Sequence, residues 1–198
     1  MAIPRTFIYL FFYTMLTNGI NAQDPGEELP YRELPAPAET YTPGSVVSRL
    51  VDGLGFRYFW ATEGLRNEDL AFRIAGEARS TRETIDHIYG LARVILNSAL
   101  NKPNEPAEEE ELSFTEMRSR TLNMLEQASD IFREAEDLDL YSVVFVRQGN
   151  RSEFPFWNQI NGPISDALWH CGQVVSYRRA SGNPLNPAVS VFTGKVRQ

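Results

Sequence analysis

Cysteine is almost missing from this chain: Cys171 is the single one among 198 residues. An intramolecular disulfide is therefore excluded, as is a structural zinc site built on cysteines. Histidine is nearly as scarce, with His87 and His170 alone. No run of basic residues occurs, and the net charge is −7. An acidic chain without a cationic stretch suits neither nucleic acid nor an anionic membrane surface. Long apolar runs are also missing. The stretch from Phe7 to Leu16 falls well short of the ~20 residues of a membrane span. With 42% apolar and 23% charged residues, the balance is that of one ordinary globular domain.

The first residues read as an export signal. Arg5 precedes the apolar run, polar Thr17, Asn18 and Gly19 follow it, and Ile20-Asn-Ala22 closes with a small residue. That is the layout of a secretory leader. Cleavage after Ala22 takes the net charge to −8, since the leader holds one Arg and no acid, and makes the protein periplasmic or secreted. No cysteine lies nearby to carry a lipid anchor. The competing reading of residues 1–22 is an uncleaved, buried first helix. Residues 23–41, with Pro25, Pro30, Pro35 and Pro37, read as a Pro-rich extended tether rather than a core element. The remaining stretch, 42–198, is the domain.

Four amphipathic helices are expected in it, near 43–61, 80–101, 113–136 and 155–181. The first starts at Thr42-Pro43, a cap followed by proline at the first helical position. Its apolar stripe is Val47, Leu50, Val51, Leu54 and Tyr58. Ser80-Thr-Arg-Glu83 and Ser113-Phe-Thr-Glu116 are capping boxes that open the second and third. In the second, Thr84, Ile88, Leu91, Ile95 and Ala99 form the buried stripe; in the third, Phe114, Met117, Thr121, Met124, Ala128, Ile131 and Ala135 form a bundle seam. The fourth is expected to kink at Gly162-Pro163 and to stop at Gly182, before Pro184. Residues 141–146 read as a short strand, with a turn at Gln148-Gly-Asn150. Residues 62–79 lack a clean period, and Phe72 and Ile74 suggest a connection packed down over a pocket mouth. The acidic linker 102–112 can reach ~37 Å, enough to run back along a second helix ~33 Å long. Helices two and three can therefore be parallel, in up-down-down-up order, which makes the expected fold an all-α four-helix bundle.

Asp166 and His170 carry the chemistry. Four residues apart, they project from one helix face a turn apart. One carboxylate and one imidazole on that spacing can converge on a single cation. His87 borders the buried stripe of the second helix one turn before Leu91, so its imidazole can enter the same interior. In that arrangement the three heads lie within ~3–5 Å of one another. The competing reading is an Asp–His hydrogen bond within one helix and an unrelated His87. Gln173 and Tyr177 continue the polar stripe of the fourth helix, and with Glu83 they are candidates to orient an imidazole or a ligand. Cys171 points ~100° away from His170, onto the apolar stripe, as a packing residue. Trp157, Trp169 and Phe154 are expected to pack the bundle. Arg178-Arg179 complement the dipole at a helix C-terminus, with an anion-binding role as the alternative.

Two of these stretches carry a resemblance. Ser80-Thr-Arg-Glu-Thr-Ile-Asp-His-Ile88 resembles the second helix of the DinB-like family, in which a His near the start is a metal ligand. Asp166-Ala-Leu-Trp-His-Cys-Gly-Gln173, followed by Arg178-Arg-Ala-Ser-Gly-Asn-Pro184, resembles the family's fourth helix. Its usual pattern there is His, three residues, His, one residue, Gly-Gln, a basic stretch and a Gly-Pro-like stop. The likeness covers roughly residues 42–192. It implies an up-down-down-up bundle and a three-residue site for a divalent metal (zinc, nickel, iron or manganese). His87 and His170 match two of the ligands, and Asp166 stands where the family usually has a third His. Two His and one carboxylate also hold such metals. Some relatives are thiol-dependent transferases or isomerases, and many have no assigned activity.

Three functions follow as expectations. The first is an exported metal-dependent transferase or hydrolase acting on a small-molecule substrate or thiol. The second is a non-catalytic exported binding protein. The third is a structural module whose metal site has decayed, with Asp166 as the sign of it. No nucleic-acid partner and no membrane span in the mature chain are expected, and a homodimer is left open.

Overall fold

The computed structural model describes residues 28–106 and 110–197. The expected leader at 1–22 and the start of the tether at 23–27 lie outside the described residues. Helix α1 (Pro43–Thr62) is opened by Thr42, whose hydroxyl accepts the Ser45 N–H while the Ser45 hydroxyl accepts the Thr42 N–H. A short helix α2 (Asn67–Ala71) interrupts the connection to α3 (Thr81–Ala99). Both α3 and α4 (Phe114–Arg133) begin with a reciprocal capping box, Ser80 with Glu83 and Ser113 with Glu116. The last helical segment comes in three pieces: α5 (Phe156–Gln159), a π turn (Ile160–Ile164) and α6 (Ser165–Ala180).

Side-chain bridges show how the long helices run. Arg82 near the start of α3 donates to the Leu112 carbonyl just before α4, at 2.7 Å, so α3 and α4 are parallel. Ser48 near the start of α1 is bonded at 2.7 Å to Ser129 near the end of α4, and Arg118 near the start of α4 reaches Thr62 at the end of α1. Those two helices are antiparallel. Arg178 near the end of α6 donates to the Trp60 and Ala61 carbonyls at the end of α1, at 2.9 and 3.1 Å, so α1 and α6 are parallel. The directions are up, down, down and up. Each of α1 and α3 packs against both α4 and α6, closing a four-helix ring around Val51, Leu54, Ile88, Ile95, Leu122 and Leu125. Leu50 of the expected first stripe faces outward instead.

The parallel pair needs a long return connection, and the chain stitches it down. Asn104 donates its backbone N–H to the Val144 carbonyl and accepts from Val146 N–H, at 2.7 and 2.9 Å. Those partners lie on β1 (Ser142–Arg147), which pairs antiparallel with β2 (Asn150–Pro155). The turn between them is Gln148-Gly149, both at positive φ, the geometry that fits the twist of a two-residue hairpin. The second strand was not legible in the sequence because all six of its residues are exposed and show no alternation. A second small hairpin, β3 (Val189–Ser190) with β4 (Lys195–Val196), closes the chain. Among the described residues no helix is long and apolar enough to cross a membrane.

The segment expected as a tether is in part a strap. Tyr31 is buried in the core, 5% exposed, and its hydroxyl donates to Asp52 of α1 at 3.2 Å. Trp60 Nε1 donates to the Arg32 carbonyl, and Leu34 N–H to the Gly194 carbonyl. The Tyr31 ring lies flat on Gly55: a Cβ there would stand 2.4 Å from two ring carbons. The glycine that weakens α1 by propensity is thus what admits the ring.

Gly55→Ala, ordinarily a gain in a helix, is therefore expected to destabilise the protein by ~1–3 kcal/mol through overpacking. In a Tyr31→Ala background the same change should be neutral or stabilising. Urea unfolding of the four proteins checks this, and a stabilised Gly55→Ala single variant contradicts it.

Candidate metal centre

The site begins with the π turn. Pro163 has no N–H to continue an α-helix and its ring crowds the preceding turn. The chain responds by widening at Ile160–Ile164 instead of breaking. The Ser165 hydroxyl donates to the Ile160 carbonyl at 2.6 Å, satisfying an acceptor at the distorted turn. Regular α-helix resumes at Ser165, and the next residue is Asp166. His87 comes from α3, beside Ile88, which is fully buried.

The structure brings these three side chains together. His87, Asp166 and His170 each offer a ligand atom, and those atoms all lie within 4.8 Å of one another. His87 Nε2 is 3.1 Å from Asp166 Oδ2, and His170 Nε2 is 3.4 Å from Asp166 Oδ1. The two imidazoles meet edge to face with centroids 4.7 Å apart. Side-chain exposure rises from 12% at His170 to 33% at His87 and 40% at Asp166. The cluster is thus anchored on the His170 side and open to solvent on the carboxylate side.

The donors fit a divalent ion. With metal–ligand bonds of ~2.0–2.2 Å, neighbouring donors stand about 3.0 Å apart in an octahedral arrangement and about 3.4 Å apart in a tetrahedral one. The two Asp166–His separations fall in or at the edge of that interval, each through a different carboxylate oxygen, and with one donor atom per residue the set spans no more than 4.8 Å. Gln173 Oε1 lies 2.6 Å from His170 Nδ1. An amide oxygen only accepts, so Nδ1 carries a proton, and in the neutral ring this leaves the Nε2 lone pair for the cluster. This is the outer hydrogen bond that metal-ligating histidines normally make.

Other residues singled out in the sequence lie elsewhere. Glu83 was expected to orient an imidazole or ligand. Its two oxygens are instead taken by Arg73 and by the Ser80 N–H, and this holds its carboxyl down at about 2, the Arg73 hydrogen bond first among the causes. The capping role wins because the N3 position aims the side chain back at the helix start. Tyr177 is buried with its ring 6.1 Å from that of Phe72, so it anchors the 62–79 connection rather than the cluster. Ile74, expected to pack there, is largely exposed.

Arg178 donates to backbone carbonyls and to Asn183 and is buried, which removes it as an anion binder. Trp157 and Trp169, expected inside, are 73% and 72% exposed, and Phe154 is 39% exposed. On α6 the core takes Ala167, Cys171, Val174 and Tyr177. Trp169, one residue before His170 and three after Asp166, falls on the outward, exposed flank of α6. Its position three residues after Asp166 was the available sequence signal. The π turn was signalled by Gly162-Pro163.

Cys171 packs in the core as expected, and burial pushes its thiol up to about 12. The folded protein is therefore expected to resist an aromatic disulfide reagent at pH 8 and to release one equivalent of thiol on unfolding. Rapid stoichiometric labelling of the native state is the contrary outcome.

Comparison of the chain with models of known protein families, with curated proteins and with solved structures finds no match in any of the three, so the donor geometry and the residue pattern carry the functional reading.

Proposed function

We propose that the chain is an exported, DinB-like protein that holds one divalent metal at His87, Asp166 and His170 and acts as a metal-dependent transferase or hydrolase. The observation that carries the reading is the convergence of the chain's only two histidines and one carboxylate from two helices, with Gln173 behind His170. The parallel pairing of α3 with α4 supports the family reading, and the leader-like residues 1–22 support export.

When bound, the ion would supply Lewis acidity and lower the pKa of a water or thiol at an open position. The chain's own groups do the rest. Gln173 holds the His170 ring in one tautomer and orientation. His87 reaches in from the neighbouring helix α3, so the site exists only when the bundle is assembled. Asp166 turns one oxygen to each imidazole.

Elemental analysis of the mature, untagged protein should find about one divalent metal per chain. His87→Ala and His170→Ala should each abolish it, along with the thermal stabilisation by added metal, which amounts to ~2.7 kcal/mol at a hundredfold excess over Kd. Gln173→Leu should weaken binding about 10–100-fold, and Asp166→His should retain the metal. Equal metal in wild type and His170→Ala contradicts the site. A metallated protein that turns over no thiol or hydrolase substrate is a binding protein instead.

A further inference from the structure

A groove of about 570 Å³ runs along the same flank of α3 as His87. Gly90 and Val94 form its floor. They follow His87 by three and seven residues, which places them within ~60° and ~20° of it around the helix, about one and two turns further on. Nothing stands within 4 Å of the place where a side chain would begin at Gly90. At Gly90 no side chain stands between the cluster and the groove, and the neighbouring residue one turn after His87 is the partly buried, apolar Leu91. Phe145 and Arg147 of β1 line the opposite wall, Arg93 the near one, and Glu105 also borders it.

Among the described residues, cations outnumber carboxylates in the lining of this groove. Arg93 has Tyr89, Gly90, Leu96 and Asn97 at three and four residues' distance, and so no acidic neighbour on its own helix. Neither Arg93 nor Arg147 forms a salt bridge among the described residues. Arg147 holds its guanidinium carbon 5.6 Å from the Phe145 ring centre, within range of a cation–π contact. Among the described residues that line the groove, two are cations, Arg93 and Arg147, and one is a carboxylate, Glu105. Between Arg93 and His87 on α3 the residues on this flank are Gly90 and the apolar Leu91.

We propose that this groove is the selectivity arm of the metal centre and takes a small molecule with two ends. A metal-ligating head sits at His87, Asp166 and His170, an apolar span crosses Gly90, and an anionic tail, carboxylate or phosphate, lies between Arg93 and Arg147. The distance to be spanned along α3 from His87 to Arg93 is about 9 Å. The inference rests on the metal reading above and adds the class of ligand. Each arginine contributes charge-assisted hydrogen bonds that a neutral tail cannot make.

The test uses the full mature protein loaded with cobalt(II), followed by its visible absorption. Three hydroxamates of matched length are titrated, ending in a methyl group, a carboxylate or a phosphonate: octanohydroxamate, suberic monohydroxamate and the phosphonate analogue. One or both anionic compounds should bind about tenfold more tightly than the neutral one at low salt, and the advantage should shrink as salt rises. The tighter of the two identifies the tail. In Arg93→Gln/Arg147→Gln the advantage should vanish, while cobalt content and octanohydroxamate affinity stay unchanged, which also certifies the fold. Equal affinities in the wild type, or an advantage that survives the double substitution, overturn the proposal with the metal reading intact. A wild type that retains no cobalt overturns both.

Discussion

The buried guanidinium of Arg178 is the constraint on which the arrangement of the site depends. A charge taken out of water is costly unless its hydrogen bonds are replaced. Here they are replaced from both helices that end nearby. Nη1 donates to the Trp60 and Ala61 carbonyls of α1, Nε to the Asn183 carbonyl and Nη2 to the Asn183 side chain. A cation is also favoured where two helix C-termini meet. These bonds lock the register of α6 against α1. Arg178 is eight residues, about 12 Å, from His170. A slip of one residue would rotate α6 by ~100° and set Trp169 or Cys171 opposite His87.

The same end of the bundle is held a second time. The Arg66 guanidinium beside buried Asp69 keeps its carboxyl well below the usual carboxylate range. Ser181 and Asn183 donate to that carboxylate too, at 2.6 and 2.7 Å. The connection after α1 is thus tied to the end of α6. At the other end the π turn takes up the disruption caused by Pro163, so the phase of α5 does not dictate the phase of α6. Between these two fixed ends stand Asp166, His170 and Gln173, on a rigid helix and not on a loop. That rigidity suits a metal centre, whose donors must be held to a few tenths of an ångström.

Two placements run against residue type. Large aromatics are usually buried, yet Trp157 and Trp169 face solvent while Tyr31, in a Pro-rich segment, is in the core. Phase decides the tryptophan at 169: the core stripe of α6 is set by Ala167, Cys171 and Val174, and Trp169 lies off it. The space under Tyr31 comes from Gly55, and its hydroxyl is met by Asp52, which also bonds Ser129 at 2.5 Å. None of those partners is near Tyr31 in sequence.

What the sequence by itself determined is local. The reciprocal hydrogen bonds of Ser80 with Glu83 and Ser113 with Glu116 begin two helices wherever those residues stand. The 3.6-residue repeat puts Asp166 and His170 on one face in any tertiary setting. The linker after α3 was long enough to permit a parallel neighbour. Tertiary structure decided everything that joins helices: that His87 meets Asp166 across the bundle, that Glu83 is used up by Arg73 and its own cap, that Arg178 is buried against α1, and that Tyr31 finds Gly55. Such contacts depend on the register and rotation of one helix against another. Those are set by the summed packing of many side chains and by a few buried hydrogen bonds, which no spacing along a single helix encodes.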